Sequence, residues 1–192
     1  METNNGIPAF HAATTGEWRN WLEKNGELEK AVCLIVYHKK SKTPSIDYNE
    51  AMEEALCFGW VDGKANKRDA ESSYLFFTKR SPKSNWSGIN KERVAKMMSK
   101  GLMTPSGQAT IDLAKKTGTW DALADVEKQI IPADMQALFD NNETAFKNFQ
   151  AFAPSARRMI LTWILSAKKP ETRQQRIEQT VELAANNIKS KL

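Results

Sequence analysis

The chain has 192 residues, 41% of them hydrophobic and 27% charged, with a formal net charge of +5 and a pI of about 9.1. That balance supports one sizeable core, or two lobes sharing one, and excludes disorder except at the two ends. The basic excess permits contact with nucleic acid or an anionic surface without requiring it.

Both cysteines, Cys33 and Cys57, stand in apolar surroundings without CxxC spacing, and His11 and His38 are the only histidines. No zinc pattern follows from them; buried, reduced thiols fit a cytoplasmic protein. Residues 1–13 lack the basic and apolar regions of a signal peptide. The longest apolar runs, 32–37 and 159–165, are too short to span a bilayer.

The first helix is expected to start at Thr14, which has capping-box spacing to Glu17, with Trp18, Trp21 and Leu22 on its apolar face and Asn25-Gly26 at its end. Residues 31–37 (AVCLIVY) are apolar and β-branched throughout, which predicts a strand buried on both faces. Asp47 then caps a helix with Glu50 three residues on. Its inner stripe is Ala51, Met52, Ala55 and Leu56, with Glu50, Glu53 and Glu54 away from that stripe.

The chain is organised around residues 57–63 (CFGWVDG), where two glycines bracket Trp60 and Asp62 and call for a turn with close backbone approach. Residues 59–63 and 73–78 read as an antiparallel pair joined by a polar loop over 64–72. Tyr74, Phe76 and Thr78 face one way, and Leu75 and Phe77 the other, so the sheet should be covered on both sides.

Ser87 starts a helix with Val94, Met97 and Met98 inside, and Arg93, Lys96 and Lys100 along a neighbouring face. Beyond Gly101 every element reads as helix. Thr104-Pro105 opens one and Gly118 closes it, and Trp120 begins a linker-like stretch to Ile131. Short helices follow Pro132 and Asn142. Ala156, Met159, Ile160, Trp163, Ile164 and Ala167 form a stripe that makes Trp163 a core residue. Pro170 starts the last helix, with Ile177, Val181, Ala184 and Ile188 inside, which closes a helical hairpin.

Four segments occur in an order that resembles the YdeI/OmpD-associated, or bacteriocin-protection, family. They are residues 17–22 (EWRNWL), 48–63 (YNEAMEEALCFGWVDG), 77–90 (FTKRSPKSNWSGIN) and 155–176 (SARRMILTWILSAKKPETRQQR). The resemblance covers roughly Trp18 to Leu183, departing at Val61, where isoleucine is expected, and in the 64–72 loop. It implies a role in resistance to antimicrobial peptides and bacteriocins, and a link to an outer-membrane porin. It brings no catalytic residue set.

The residues that carry chemistry cluster in the middle of the chain. Asp62 with Arg80 reads either as a half-buried pair that binds a polar ligand or as a salt bridge that fixes the hairpin. Trp60 and Trp86 are stacking platforms or core. Ser87 and Asn90, at a helix start near Arg80 and Lys83, suit an anion or simple capping. No phosphate-loop, nucleophile-elbow, zincin or dinucleotide motif is present, and Cys57 has no histidine near it in sequence.

The expectation is an α+β chain. A small, mostly antiparallel sheet with covering helices over 10–103 is followed by a helical lobe over 104–192, the two forming one compact unit. The expected function is cytoplasmic stress resistance of the bacteriocin-protection type, acting by binding an anionic small molecule or a protein partner. The ligand-binding set is Trp60, Asp62, Arg80, Trp86, Ser87 and Asn90, with no cofactor and no metal. A nucleic-acid binder using Arg93, Lys96 and Lys100 with Trp86, and an enzyme with an Asp62/Arg80 pocket beside Trp60, are the alternatives. Nucleic acid is not favoured, because the motif and the aromatic-rich sheet that read it are missing.

Overall fold

A computed structural model describes residues 2–189. It is an α+β structure with one open, mixed, five-stranded sheet and nine helices among the described residues. The chain divides into two units, Met1–Asp121 and Ala122–Leu192.

The first unit begins with a strand pair absent from the sequence expectation. β1 (Thr3–Asn4) and β2 (Ile7–His11) turn through Asn5 and Gly6, both at positive φ. Pro8 sits at the margin of the sheet opposite Thr3, where a missing donor is tolerated. β2 runs parallel to β3 (Ala31–Tyr37), with α1 (Thr15–Asn25) as the crossover. β5 (Ser72–Lys79) inserts between β3 and β4 (Trp60–Lys67), antiparallel to both, so the sheet order is β1-β2-β3-β5-β4. The expected 64–72 loop is mostly strand: β4 continues to Lys67 past an irregularity between Asp62 and Ala65.

All four helices of this unit contribute to one face of the sheet. They are α1, α2 (Tyr48–Cys57), α3 (Gly88–Ser99) and α4 (Pro105–Thr117). Trp18, Leu22, Met52, Leu56, Val94 and Ile111 meet Val32, Leu34, Trp60, Leu75 and Phe77 there. Each large side chain fully buried in this layer contributes roughly 1.5–3 kcal/mol. Because Ile111 and Ala114 belong to this core, α4 falls within the first unit, whereas the expected lobe boundary ran before it.

The other face is covered differently. Cys33, Ile35, Tyr74 and Phe76 lie there with Ile7 and Ala9. In a flat sheet Glu2 would stand about three strand spacings, or ~14 Å, from β5. Instead Glu2 accepts from the Tyr74 hydroxyl at 2.5 Å and from Arg68 at 2.7 and 2.9 Å, and Asn4 reaches the Cys33 Sγ at 3.7 Å. The N-terminal hairpin therefore curls across this face as a strap.

The second unit packs α5 (Ala124–Glu127), α6 (Ala133–Asp140), α7 (Glu143–Ala151), α8 (Pro154–Leu165) and α9 (Pro170–Ala185) around Phe139, Phe149, Ile160, Leu161, Ile164 and Ile177. The α8–α9 hairpin is present. Its stripe is rotated from the expected one: Leu161 is buried, Met159 is 56% exposed and Trp163 is only half-buried. Met98 in α3 and Ile188, beyond the end of α9, are likewise exposed. Helical spacing defines a face to within about one residue, and packing chooses which edge of that face is dry.

Candidate functional site

The first unit contains an open cleft of about 850 Å³, within the usual range for small-molecule sites. Four pieces of chain wall it: the end of α1 and the following turn (Leu22 to Leu28), Phe58 and Gly59, Lys79 and Arg80, and the start of α4 (Thr104 to Thr110).

Local sequence explains how these pieces meet. Gly59 adopts φ +75°, and a Cβ there would stand 2.7 Å from the Thr110 methyl, so only glycine lets the α2–β4 turn lie against α4. A Cβ on Gly107 would collide with the Cys57 carbonyl oxygen at 2.1 Å. The start of α4 is thereby pressed onto the end of α2. There the Thr104 hydroxyl donates to the Cys57 carbonyl at 2.5 Å and accepts from the Gly107 N–H at 3.3 Å. At the end of β5, Lys79 donates to the Glu27 carbonyl at 2.7 Å and the Arg80 N–H donates to the Gly59 carbonyl at 2.9 Å.

Arg80 is the unusual residue of this site. It is 9% exposed, and its guanidinium stacks on the Trp86 ring at 3.8 Å. Nη2 donates to the Asn85 carbonyl at 2.5 Å. Nε and Nη1 are buried with no hydrogen-bond partner. Burial pulls its pKa down to about 10, offset in part by the charge of Asp62. Among the described residues no ion pair joins Arg80 to Asp62. A second, small cavity of about 20 Å³ lies against Trp86, Leu113 and Ala114; Arg80 and Thr110 line both cavities.

The other expected site residues divide into groups. Trp60 is a core residue, edge-on to Trp21, and its indole N–H donates to the Gly26 carbonyl at 3.3 Å, so it backs the cleft wall without presenting a ring to it. Trp86 is also buried, between Arg80 and Trp120. Ser87 caps α3, accepting from the Asn90 N–H at 3.4 Å. Asp62 accepts from the Tyr48 hydroxyl at 2.8 Å; Arg93 lies over the Tyr48 ring and donates to the Asn90 side chain at 3.1 Å. The structure thus joins Arg80 to Trp86, and Asp62 to Asn90 through Tyr48 and Arg93. The sequence reading singled out Gly59 for its turn but left Lys79, Phe58, Leu28 and the Thr104–Thr110 wall out of the binding set. One signal was present, a lone leucine in the Asn25–Glu29 turn.

The basic face of α3 is largely engaged by α2. Lys96 pairs with Glu53 at 2.5 Å, and Arg93 donates to Asn49 at 2.8 Å. Glu54, expected to lie away from the inner stripe, is 4% exposed and pairs with Arg19 at 2.8 Å. Cys57 is fully buried, and burial pushes its thiol up to about 11, which suits a core residue and not a nucleophile. Among the described residues no His, Cys, Asp and Glu cluster is placed to hold a metal ion, and no helix is long and apolar enough to cross a membrane.

Residues 10–110 match the family model of a domain of unknown function, DUF8412, and residues 129–187 match the family described as bacteriocin-protection, YdeI or OmpD-associated. Of the four segments that carried the resemblance, 155–176 lies in the second match and the other three lie in the first. No curated protein and no solved structure gives a match. Over more than half its length the chain therefore belongs to the DUF8412 family, and its C-terminal segment is similar to the bacteriocin-protection, YdeI or OmpD-associated family.

Proposed function

We propose that this is a binding protein of the bacteriocin-protection type, acting in the cytoplasm, whose cleft takes a small anionic molecule beside Arg80. The observation that carries the reading is the buried guanidinium with two unanswered N–H groups. Removing a cation from water costs several kcal/mol, and purely structural buried arginines recover that cost from a carboxylate. Arg80 has one carbonyl and one aromatic face instead. An oxyanion supplies both the charge and the acceptors that are missing. Lys79 stands on the same wall. The buried thiols fit a reducing compartment.

The test is thermal unfolding of the full chain with sodium acetate or inorganic phosphate at matched ionic strength. A ligand at a hundred times its Kd stabilises by about 2.7 kcal/mol, so the melting temperature should rise in the wild type and not in Arg80→Gln. Equal shifts in both proteins, or none in the wild type, overturn the reading.

A nucleic-acid role has less support. Glu53 and Asn49 hold Lys96 and Arg93, and a phosphate backbone would have to displace them.

A further inference from the structure

The cleft is much larger than its charge requires. An inorganic anion at Arg80 fills only a small part of about 850 Å³. Much of the remaining wall is apolar: Leu22 in the floor, Phe58 half-buried, Pro105, and Leu28 at the rim. Leu28 is 82% exposed, the most exposed large apolar residue of the described chain. A single exposed leucine is ordinary on a protein surface. This one is held in place. Its N–H donates to the Asn25 carbonyl at 3.0 Å, the Glu29 N–H donates to the same carbonyl at 2.8 Å, and Lys79 clamps the Glu27 carbonyl between them. The turn thus presents Leu28 to the cleft from an ordered backbone.

We infer that the anion taken by this cleft is amphiphilic: a free single-chain molecule with a carboxylate or phosphate head at Arg80 and an aliphatic tail along Leu22, Phe58 and Leu28. This rests on the anion-binding reading above and adds the tail. The head answers the guanidinium. The tail removes Leu28 and the exposed part of Phe58 from water, which a compact hydrophilic anion leaves wet. Pre-ordering of the turn lowers the entropy lost on closing over the tail.

Titration calorimetry of the full chain with acetate, butyrate, hexanoate and octanoate, each below its micelle concentration, separates the head from the tail. Each methylene fully buried tightens binding roughly three- to fourfold, so affinity should climb steeply along the series. Leu28→Ser should flatten the climb at its long end and leave acetate unchanged. Arg80→Gln should weaken every member. If acetate binds and chain length makes no difference, the tail assignment is overturned while anion binding stands. If no member binds, both fall. Octanol binding as tightly as octanoate shows that charge is not read, and also overturns both. Phosphatidylglycerol vesicles binding where octanoate does not places the tail in a membrane and overturns the free-ligand assignment.

Discussion

Two corners of the first unit each hold an arginine, Arg19 half-buried and Arg80 buried, and they meet its charge differently. At one, Arg19 donates to Glu54 at 2.8 Å and to the Leu102 carbonyl at 3.0 Å, lies 3.3 Å from Glu23, and covers the Phe58 ring. Its charge-assisted bonds and its neighbours hold its pKa above the ordinary value despite desolvation. At the other, Arg80 stacks on Trp86, makes one carbonyl bond and has its pKa lowered by burial. Phe58 belongs to both corners, carrying Arg19 and lining the cleft beside Arg80. An arginine whose donors are answered holds a fold together; one whose donors are not answered stores an unmet demand that a ligand can meet.

The contrast breaks most readily at the first corner. Arg19→Met leaves the Glu54 carboxylate buried without a cation, and urea unfolding should show a loss of roughly 3–5 kcal/mol. Adding Glu54→Gln should restore a large part of it, because the uncompensated charge is gone. Recovery of nothing in the double variant would mean that Arg19 acts through packing on Phe58.

The aromatic supports are next. Trp86 is fully buried, so Trp86→Ala should cost roughly 3–5 kcal/mol. Trp163 in the second unit also carries an arginine, with Arg176 at 4.9 Å from its ring, but it is only half-buried. Trp163→Ala should therefore cost about 2 kcal/mol, less than the full core value. Equal losses would show that the two tryptophans are equally dry.

Arg80→Gln without ligand should change stability by less than about 1 kcal/mol, since the lost carbonyl bond is offset by removal of a desolvated charge. A large loss would make Arg80 as structural as Arg19. The pH dependence sharpens this. Burial holds the folded pKa of Arg80 at about 10, below the ordinary arginine range, so the cost of keeping it charged is complete below about 10 and is relieved as pH rises from there towards that range. The stability of wild type relative to Arg80→Gln should rise over that window, and the rise should move to higher pH with octanoate bound.

The smallest effect belongs to the ion pair of the strap, between Arg68 and the exposed Glu2. Hydrogen bonds from Arg68 and then Tyr74 hold the Glu2 carboxyl at about 2, below the ordinary glutamate value of 4.5. The strap's contribution is present above pH 4.5 and is lost as pH falls towards 2. Glu2→Gln should remove that part of the acid dependence and leave stability at pH 7 little changed, because exposed pairs contribute little.

Some of this was written locally. Strand β3 appears at the bounds its β-branched run predicted, and Ser87, Asp47 and Thr104 cap the helices their spacing announced. The β4–β5 pairing and the α8–α9 hairpin were also legible, because turn residues and apolar period act between near neighbours. The binding set was legible only in part. Arg80 and Trp86 stand six residues apart along one short connection and do meet. Asp62 was matched to Arg80 on charge and on the 59–63/73–78 hairpin; it accepts instead from Tyr48, which the packing of α2 beside β4 brings to it.

What the sequence determined by itself was the helices from α1 to α4 and the final hairpin, most of their caps, the buried pattern of β3 and the glycine at position 59, all of which depend on residues a few places apart. Tertiary structure alone decided which arginine would find a carboxylate, that a proline-bearing N-terminus would become strands, and that α4 would wall a cleft at the end of β5. Those outcomes depend on which surfaces come together, and burial turns the same guanidinium into a structural tie beside Glu54 or an unanswered cation beside Trp86.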